Sequence, residues 1–321
     1  MTRNIKTAYS KRITWKKYRK QGYLQIIAII GTLYMIVFSY LPMMGIILAF
    51  KNYRFSPGIM GIINSENVGF KYFIEFSQDY EFWNVIRNTL VLSILKILFT
   101  FPVPIMLAIA FNEVSNLKVK RIVQTVSYLP YFISWVIVST IMFSFFNTQD
   151  GLINQMIVKF GIVDKPLEFL VDPKYFRSLM VVSDIWKNSG WWAIIFLAAI
   201  AGVDATLYEA AIVDGAGRIQ RIYHITLPAI KGAIMIVLIL SLGGLLGGGL
   251  GGSNFEQSYL LGNQVNKSVS NILQTYALTL GLRQGRYSYA SAIGLAQSII
   301  SLILIYGSNY TSKKLTKVGL F

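Results

Sequence analysis

The sequence predicts an all-α integral membrane protein with six transmembrane helices and both termini in the cytoplasm. Three observations carry that expectation. Of 321 residues, 54% are hydrophobic and only 14% are charged, whereas an ordinary soluble domain carries about 25% charged residues. Long uncharged runs recur along the chain. The basic residues gather in alternate segments between those runs.

A hydrocarbon core about 30 Å thick takes roughly 20 apolar helical residues to cross. The stretches 24–50, 122–147, 232–252 and 287–312 contain no charge. Two more are apolar with interruptions: 88–112 carries Lys96, and 178–203 carries Asp184 and Lys187. None shows the alternation of a barrel strand, so helices are the spanning element. With the N-terminus inside, the inner segments 1–23, 112–122, 203–231 and 311–321 carry 17 Lys and Arg against 4 acids. The outer segments 51–86, 147–177 and 251–286 carry 10 against 9. Lys and Arg prefer the cytoplasmic side. The basic stretch from Lys11 to Lys20 reads as a topology signal near anionic head groups rather than a cleaved leader, because the apolar run that follows is too long.

The net charge of +16 is spread between apolar runs and forms no single basic face, which speaks against nucleic-acid binding. The absence of cysteine excludes disulfides and thiolate chemistry, and one histidine, His224, leaves no basis for an imidazole metal site. No catalytic residues are assigned. No Gly-Lys dipeptide occurs, so a phosphate-binding loop for ATP is missing. An ion-driven secondary transporter would show broken helices in two similar halves, and only one glycine-broken run is visible. A membrane enzyme or a non-transporting scaffold would also fit a bundle of this kind.

The loop 203–230 is the most informative segment. Asp204 suits a helix N-cap, and Leu207, Ala211 and Ile212 form an apolar face with Tyr208 and Glu209 beside it. Gly215 and Gly217 interrupt the helix. A second short helix follows from Arg218 to Ile225, and Pro228 suits the first turn of the next span. This is either a knob for a soluble partner or an interfacial loop with no partner.

Glu209-Ala210-Ala211, Asp214-Gly215-Ala216 and Ile225-Thr226-Leu227-Pro228 resemble the EAA loop of binding-protein-dependent ABC importer permeases. Three residues separate Ala211 from Gly215, and nine separate Gly215 from Ile225, as in that pattern. The resemblance implies a type I importer architecture, with this helix seated in a cleft of a cytoplasmic ATPase dimer. Glu209 would be the charged contact and Gly215 the break, with Ala210, Ala211, Asp214, Ala216, Leu227 and Pro228 completing the coupling surface. It further implies a second homologous permease, an extracellular solute-binding protein, ATP and Mg²⁺ on the ATPase only, and a multi-pass place in a bacterial plasma membrane.

The likeness covers 85–310, preceded by a basic N-terminus (1–23) and a first helix with its outer loop (24–84), and followed by a tail (311–321). Within carbohydrate importers it resembles permeases for polysaccharide fragments such as rhamnogalacturonan, alginate or aldouronate. The matching pieces include 129–135, Asp184 to Lys187, Gly190-Trp191, Phe255 to Gln257 and 289–298. An oligosaccharide is the implied solute.

Candidates for the solute pathway follow from position. Trp135 and Trp191 lie midway along their runs, away from the interfacial belt, so they either face sugar or pack between helices. Asp184 and Lys187 sit three apart within the membrane, where charges face water or each other. Phe255, Glu256 and Gln257 follow seven glycines in 243–252, where an unwound backbone can line a cavity. Pathway lysines would suit an acidic sugar.

Overall fold

The computed structural model describes residues 21–53, 59–317 and 319–320. The basic stretch 1–20 lies outside the described residues. Among those described there is no β-strand, only an isolated bridge between Lys51 and Asn67.

Helix α1 (Gly22–Phe50) follows the first uncharged run. It loosens into a π-turn at Ile36–Tyr40 one turn before Pro42, whose ring would otherwise meet the carbonyl four residues back. The short α2 (Lys71–Gln78) leads into α3 (Phe82–Glu113), with a break at Phe101 where Pro102 restarts the helix. Next come α4 (Leu117–Phe132) and α5 (Trp135–Phe146), inclined at 101°. Pro130 tightens the end of α4, and the Ser134 hydroxyl accepts from the Ile137 N–H to start α5. The predicted run 122–147 is therefore two helices around a proline corner.

After α6 (Leu152–Lys159) comes α7 (Pro173–Ala201), capped by Asp172, whose carboxylate accepts from the Lys174 N–H at 2.8 Å. Helices α8 (Ala205–Val213) and α9 (Arg218–Ala229) form the informative loop, and α10 (Lys231–Gly243) returns into the bundle. Then follow α11 (Asn254–Leu261), α12 (Leu273–Leu278) and the long α13 (Tyr287–Thr316). Helices α1, α3 and α13 are each long and apolar enough to cross a membrane. Three further spans arise if each bent pair, α4–α5, α7–α8 and α9–α10, counts as one.

The predicted fifth run stops early. Helix α10 ends at Gly243, and the chain continues in short turns with Gly248 at φ 105°, Gly249 at φ 69° and Gly252 at φ 57°. Side chains rarely adopt that backbone. Gly248, Gly249 and Gly252 thus serve unwinding, whereas Gly243 serves close packing, a Cβ there lying 2.1 Å from Ile305 Cγ1 of α13.

Helix α7 is the axis of the bundle and packs along α3. The two run in the same direction. Leu92 shares an apolar cluster with Met180, and Ala108 shares another with Phe196 and Ile200. At the far end Tyr72, Val85, Leu273 and Tyr289 form a third. Gly190 permits the α7–α4 crossing, where a Cβ would lie 1.9 Å from the Ser127 carbonyl oxygen.

Candidate functional site

The loop joining α7 to α10 has the geometry of a preformed knob. The Asp204 carboxylate accepts from the Thr206 N–H at 3.0 Å, starting α8. The Thr206 backbone and side-chain hydrogen bonds hold that carboxyl below the usual range. At the other end the Gly215 N–H reaches the Ile212 carbonyl at 3.0 Å, and the Ala216 N–H reaches Ala211 at 2.8 Å. This paired closure requires a left-handed residue after the cap, and Gly215 supplies it at φ 78°.

The Gly217 N–H then donates to Gln220 Oε1 at 2.8 Å, opening α9. A π-turn at Ile222–Thr226 precedes Pro228, as one precedes Pro42 in α1. Pro228 therefore belongs to the end of α9, and α10 starts three residues later. The Tyr208 hydroxyl and Thr226 Oγ1, 2.9 Å apart, tie the two helices together. No residue of α8 is buried, and Val213 is 87% exposed. Glu209 and Ala210 face solvent, while Ala211, Asp214, Gly215 and Ala216 line a groove of about 430 Å³ with Arg221 and His224. Leu227 packs inward on the Phe196 cluster.

The intramembrane charges pair differently from the spacing-based expectation. Asp184 and Lys187 do not pair with each other. Asp184 faces Lys96 of α3 at 3.6 Å, each only 1% exposed. Lys96 Nζ also donates to Ser253 Oγ at 2.7 Å and to Gln257 Oε1 at 2.5 Å. Ser253 donates to Asp184, and Asn188 does so at 2.9 Å. Lys187 turns the other way, donating to the Tyr131 carbonyl at 2.7 Å and lying over the rings of Tyr131 and Trp135. Tyr131 stacks on Trp191 at 4.6 Å and 7°.

Trp135, Trp191 and Lys187 thus form one aromatic–cation cluster. The second predicted group is the trio 255–257. That trio is itself divided. Gln257 is fully buried, its amide donating to the Met180 carbonyl at 3.0 Å and Ser183 Oγ at 2.8 Å. Its polar atoms are thus spent within the bundle. Phe255 and Glu256 instead line a cavity of about 580 Å³ with Gln274, Tyr287, Ser291 and Gln297. Phe255 stacks on Tyr259 at 5.7 Å. Such a wall suits sugar, with an aromatic face beside planar amides that both donate and accept.

Sequence reasoning missed Gln274 and Tyr287, because a glutamine or tyrosine near a span end is unremarkable alone. It also missed Lys96 as Asp184's partner. The available signal was that each lone charge needs an opposite charge from another helix. Among the described residues no group of acids and histidine is arranged to hold a metal.

Comparison with known proteins gives one answer at every level. The chain is 46% identical over 312 residues to protein LplB of Bacillus subtilis (97% of this chain, 95% of that protein). It is 43% identical over 305 residues to the polygalacturonan/rhamnogalacturonan transport system permease protein YteP of the same organism (95% and 92%). A chain of the bacterial alginate ABC transporter, solved in complex with an alginate pentasaccharide-bound periplasmic protein, superposes with TM-score 0.85 at 35% identity. That match covers 96% of this chain and all of the other. Residues 100–317 match the description binding-protein-dependent transport system inner membrane component. The chain belongs to that family, as a sugar-transport permease distinct from the ATP-hydrolysing subunit.

Proposed function

We propose that this chain forms half of the membrane pathway of an ATP-driven importer in a bacterial plasma membrane. It passes inward an oligosaccharide delivered by an extracellular solute-binding protein. A second, similar permease supplies the other half, and a cytoplasmic ATPase dimer with ATP and Mg²⁺ drives the cycle. Six spans, with both termini on the ATPase side, suit this arrangement.

The observation that carries the reading is the loop 203–230. It is a helix with no buried residue, capped at both ends and braced by Tyr208–Thr226, so it can transmit a push without deforming. The ATPase would grip Glu209 and the small residues around Gly215. The 255–256 wall offers the sugar an aromatic face and amides. The acidic option rests on the relatives, whose names include polygalacturonan and alginate. Lys96 and Lys187 lend it nothing direct, since both are held in buried contacts.

The test is uptake into vesicles carrying the complete transporter, using radiolabelled pentasaccharides with alginate and galacturonate oligomers among them. Gly215→Ala forces a side chain into left-handed backbone at roughly 1–2 kcal/mol. That variant and Glu209→Lys should each cut ATP-dependent uptake by about tenfold or more, the rate equivalent of such a loss. Sugar capture by the binding protein should stay intact. Unchanged uptake in both variants refutes the coupling role.

A further inference from the structure

Between α10 and α11 the chain has lost its helix. Seven of ten residues from 243 to 252 are glycine, and three sit at positive φ. Short glycine-rich turns couple the two helices far less stiffly than a continuous α-helix would. The orientation of α11 is therefore only weakly set by α10, and something else must fix it.

Polar side chains do so. Ser253, Asn254 and Gln257 are each fully buried. Asn254 donates to Ser93 Oγ on α3 at 2.9 Å. Gln257 bonds α7 through its amide nitrogen and Lys96 through its oxygen. Ser253 sits between Lys96 and Asp184, accepting from one and donating to the other. With about 100° between successive residues of a helix, burying 253, 254 and 257 turns 255, 256 and 259 outward. Phe255 and Glu256 then line the cavity, and Tyr259 is 49% exposed beside them. Rotating α11 by one residue would carry Glu256 into the bundle.

A buried ion pair is a poor source of stability, since well-packed apolar residues often do as well. What it supplies here is direction: one cation on α3 and one anion on α7 converge on Ser253, the residue before α11, and the cation also holds Gln257 within it. Resting on the importer reading above, we propose that Lys96, Asp184 and Gln257 are positioning residues that aim Phe255 and Glu256 into the sugar pathway. They act on transport through the affinity of that wall, without touching the sugar.

The chain contains no cysteine, so a single introduced thiol reports its own surroundings. In the complete transporter, Glu256→Cys is labelled with a charged, membrane-impermeant maleimide. A second chain with Tyr80→Cys, 86% exposed in the loop between α2 and α3 and outside the coupling loop, is the control. Lys96→Met with Asp184→Asn removes both charges and leaves neither unpaired. In that background, labelling at 256 should slow roughly tenfold, as a small misplacement of a reacting group does, while labelling at 80 holds. With Glu256 restored, KM for the best-transported pentasaccharide should rise by a similar factor at unchanged maximal rate, and Lys96→Arg should keep KM near the parent value. If the double variant fails to accumulate, Gln257→Leu decides in its place, keeping the charge pair but losing the amide anchors. Unchanged labelling and KM in the deciding variant overturn the proposal. A parent transporter that shows no ATP-driven uptake instead sinks the importer reading, and the labelling comparison still stands.

Discussion

Asp79 shows how one carboxylate anchors the outer loop between α2 and α3. Its Oδ2 accepts from the Tyr276 hydroxyl at 2.5 Å and the Tyr289 hydroxyl at 2.7 Å, and Oδ1 accepts from the Glu81 N–H at 3.0 Å. Burial alone would raise its pKa. The two tyrosines, that N–H and nearby Arg286 outweigh burial and hold the group below the usual carboxylate range. Arg286 itself pairs with Glu75 and lies 4.2 Å over the Tyr289 ring. Because the folded pKa is depressed, the stabilisation is complete above the unfolded value. It is lost as pH falls through the folded one. Thermal stability should therefore be insensitive to this group from pH 8 down to about 5 and decline below about 4, given an unfolded Asp pKa near 3.9. Asp79→Asn should lower the midpoint at pH 7 and flatten the acid decline. Parallel melts of parent and variant in detergent check both. An equal acid decline in both would remove Asp79 from the explanation.

At the scale of elements, prolines and glycines decide where helices bend, and this determines how much the sequence alone reveals. The loop 203–230 was legible because everything in it is local: a cap, a glycine three residues past Ala211, and a proline at fixed spacing. The apolar runs that became α1, α3 and α13 were legible for the same reason. The corner at Ser134 was not, because Pro130 within an apolar run fits either a kink or a stop. Nor was the end of α10, because glycines at spacing four fit either close helix packing or unwinding. The Lys96–Asp184 pair joins residues 88 apart in sequence. The i, i+3 spacing of Asp184 and Lys187 left a mutual pair or a water-facing position open, and Asp184 pairs with Lys96 instead.

Glycine also separates packing from tolerance. At Gly190 a Cβ would meet the Ser127 carbonyl oxygen at 1.9 Å, backbone that cannot step aside. Gly190→Ala should therefore push α7 and α4 apart, at about 1–3 kcal/mol for an overpacked contact. Gly307, in α13 with nothing within 4 Å, should accept alanine at no loss. Midpoints of thermal aggregation for the two variants test this, and a Gly190→Ala protein as stable as Gly307→Ala would contradict the close crossing.

At the scale of the whole molecule, the bundle has two chemically different ends. The parallel run of α3 and α7 places Glu113, Ala201 and the α8–α9 knob at one end. Tyr72, Val85, Leu273 and Tyr289 cluster at the other. Helix α7 has 29 residues, about 43 Å at 1.5 Å per residue, which exceeds the hydrocarbon thickness of about 30 Å. It is therefore long enough for its ends to reach both aqueous phases. The Lys and Arg excess predicts a cytoplasmic knob end, and the proposed importer mechanism needs it there. Sidedness is thus the strictest test of the whole arrangement. Tyr80 and Val213 are 86% and 87% exposed and sit at opposite ends, so each tolerates a cysteine in a chain that has none of its own. An impermeant maleimide added to intact cells should label Tyr80→Cys at once and Val213→Cys only after permeabilisation. Labelling of both in intact cells would place the loop outside, out of reach of any ATPase, and leave a membrane bundle without its motor.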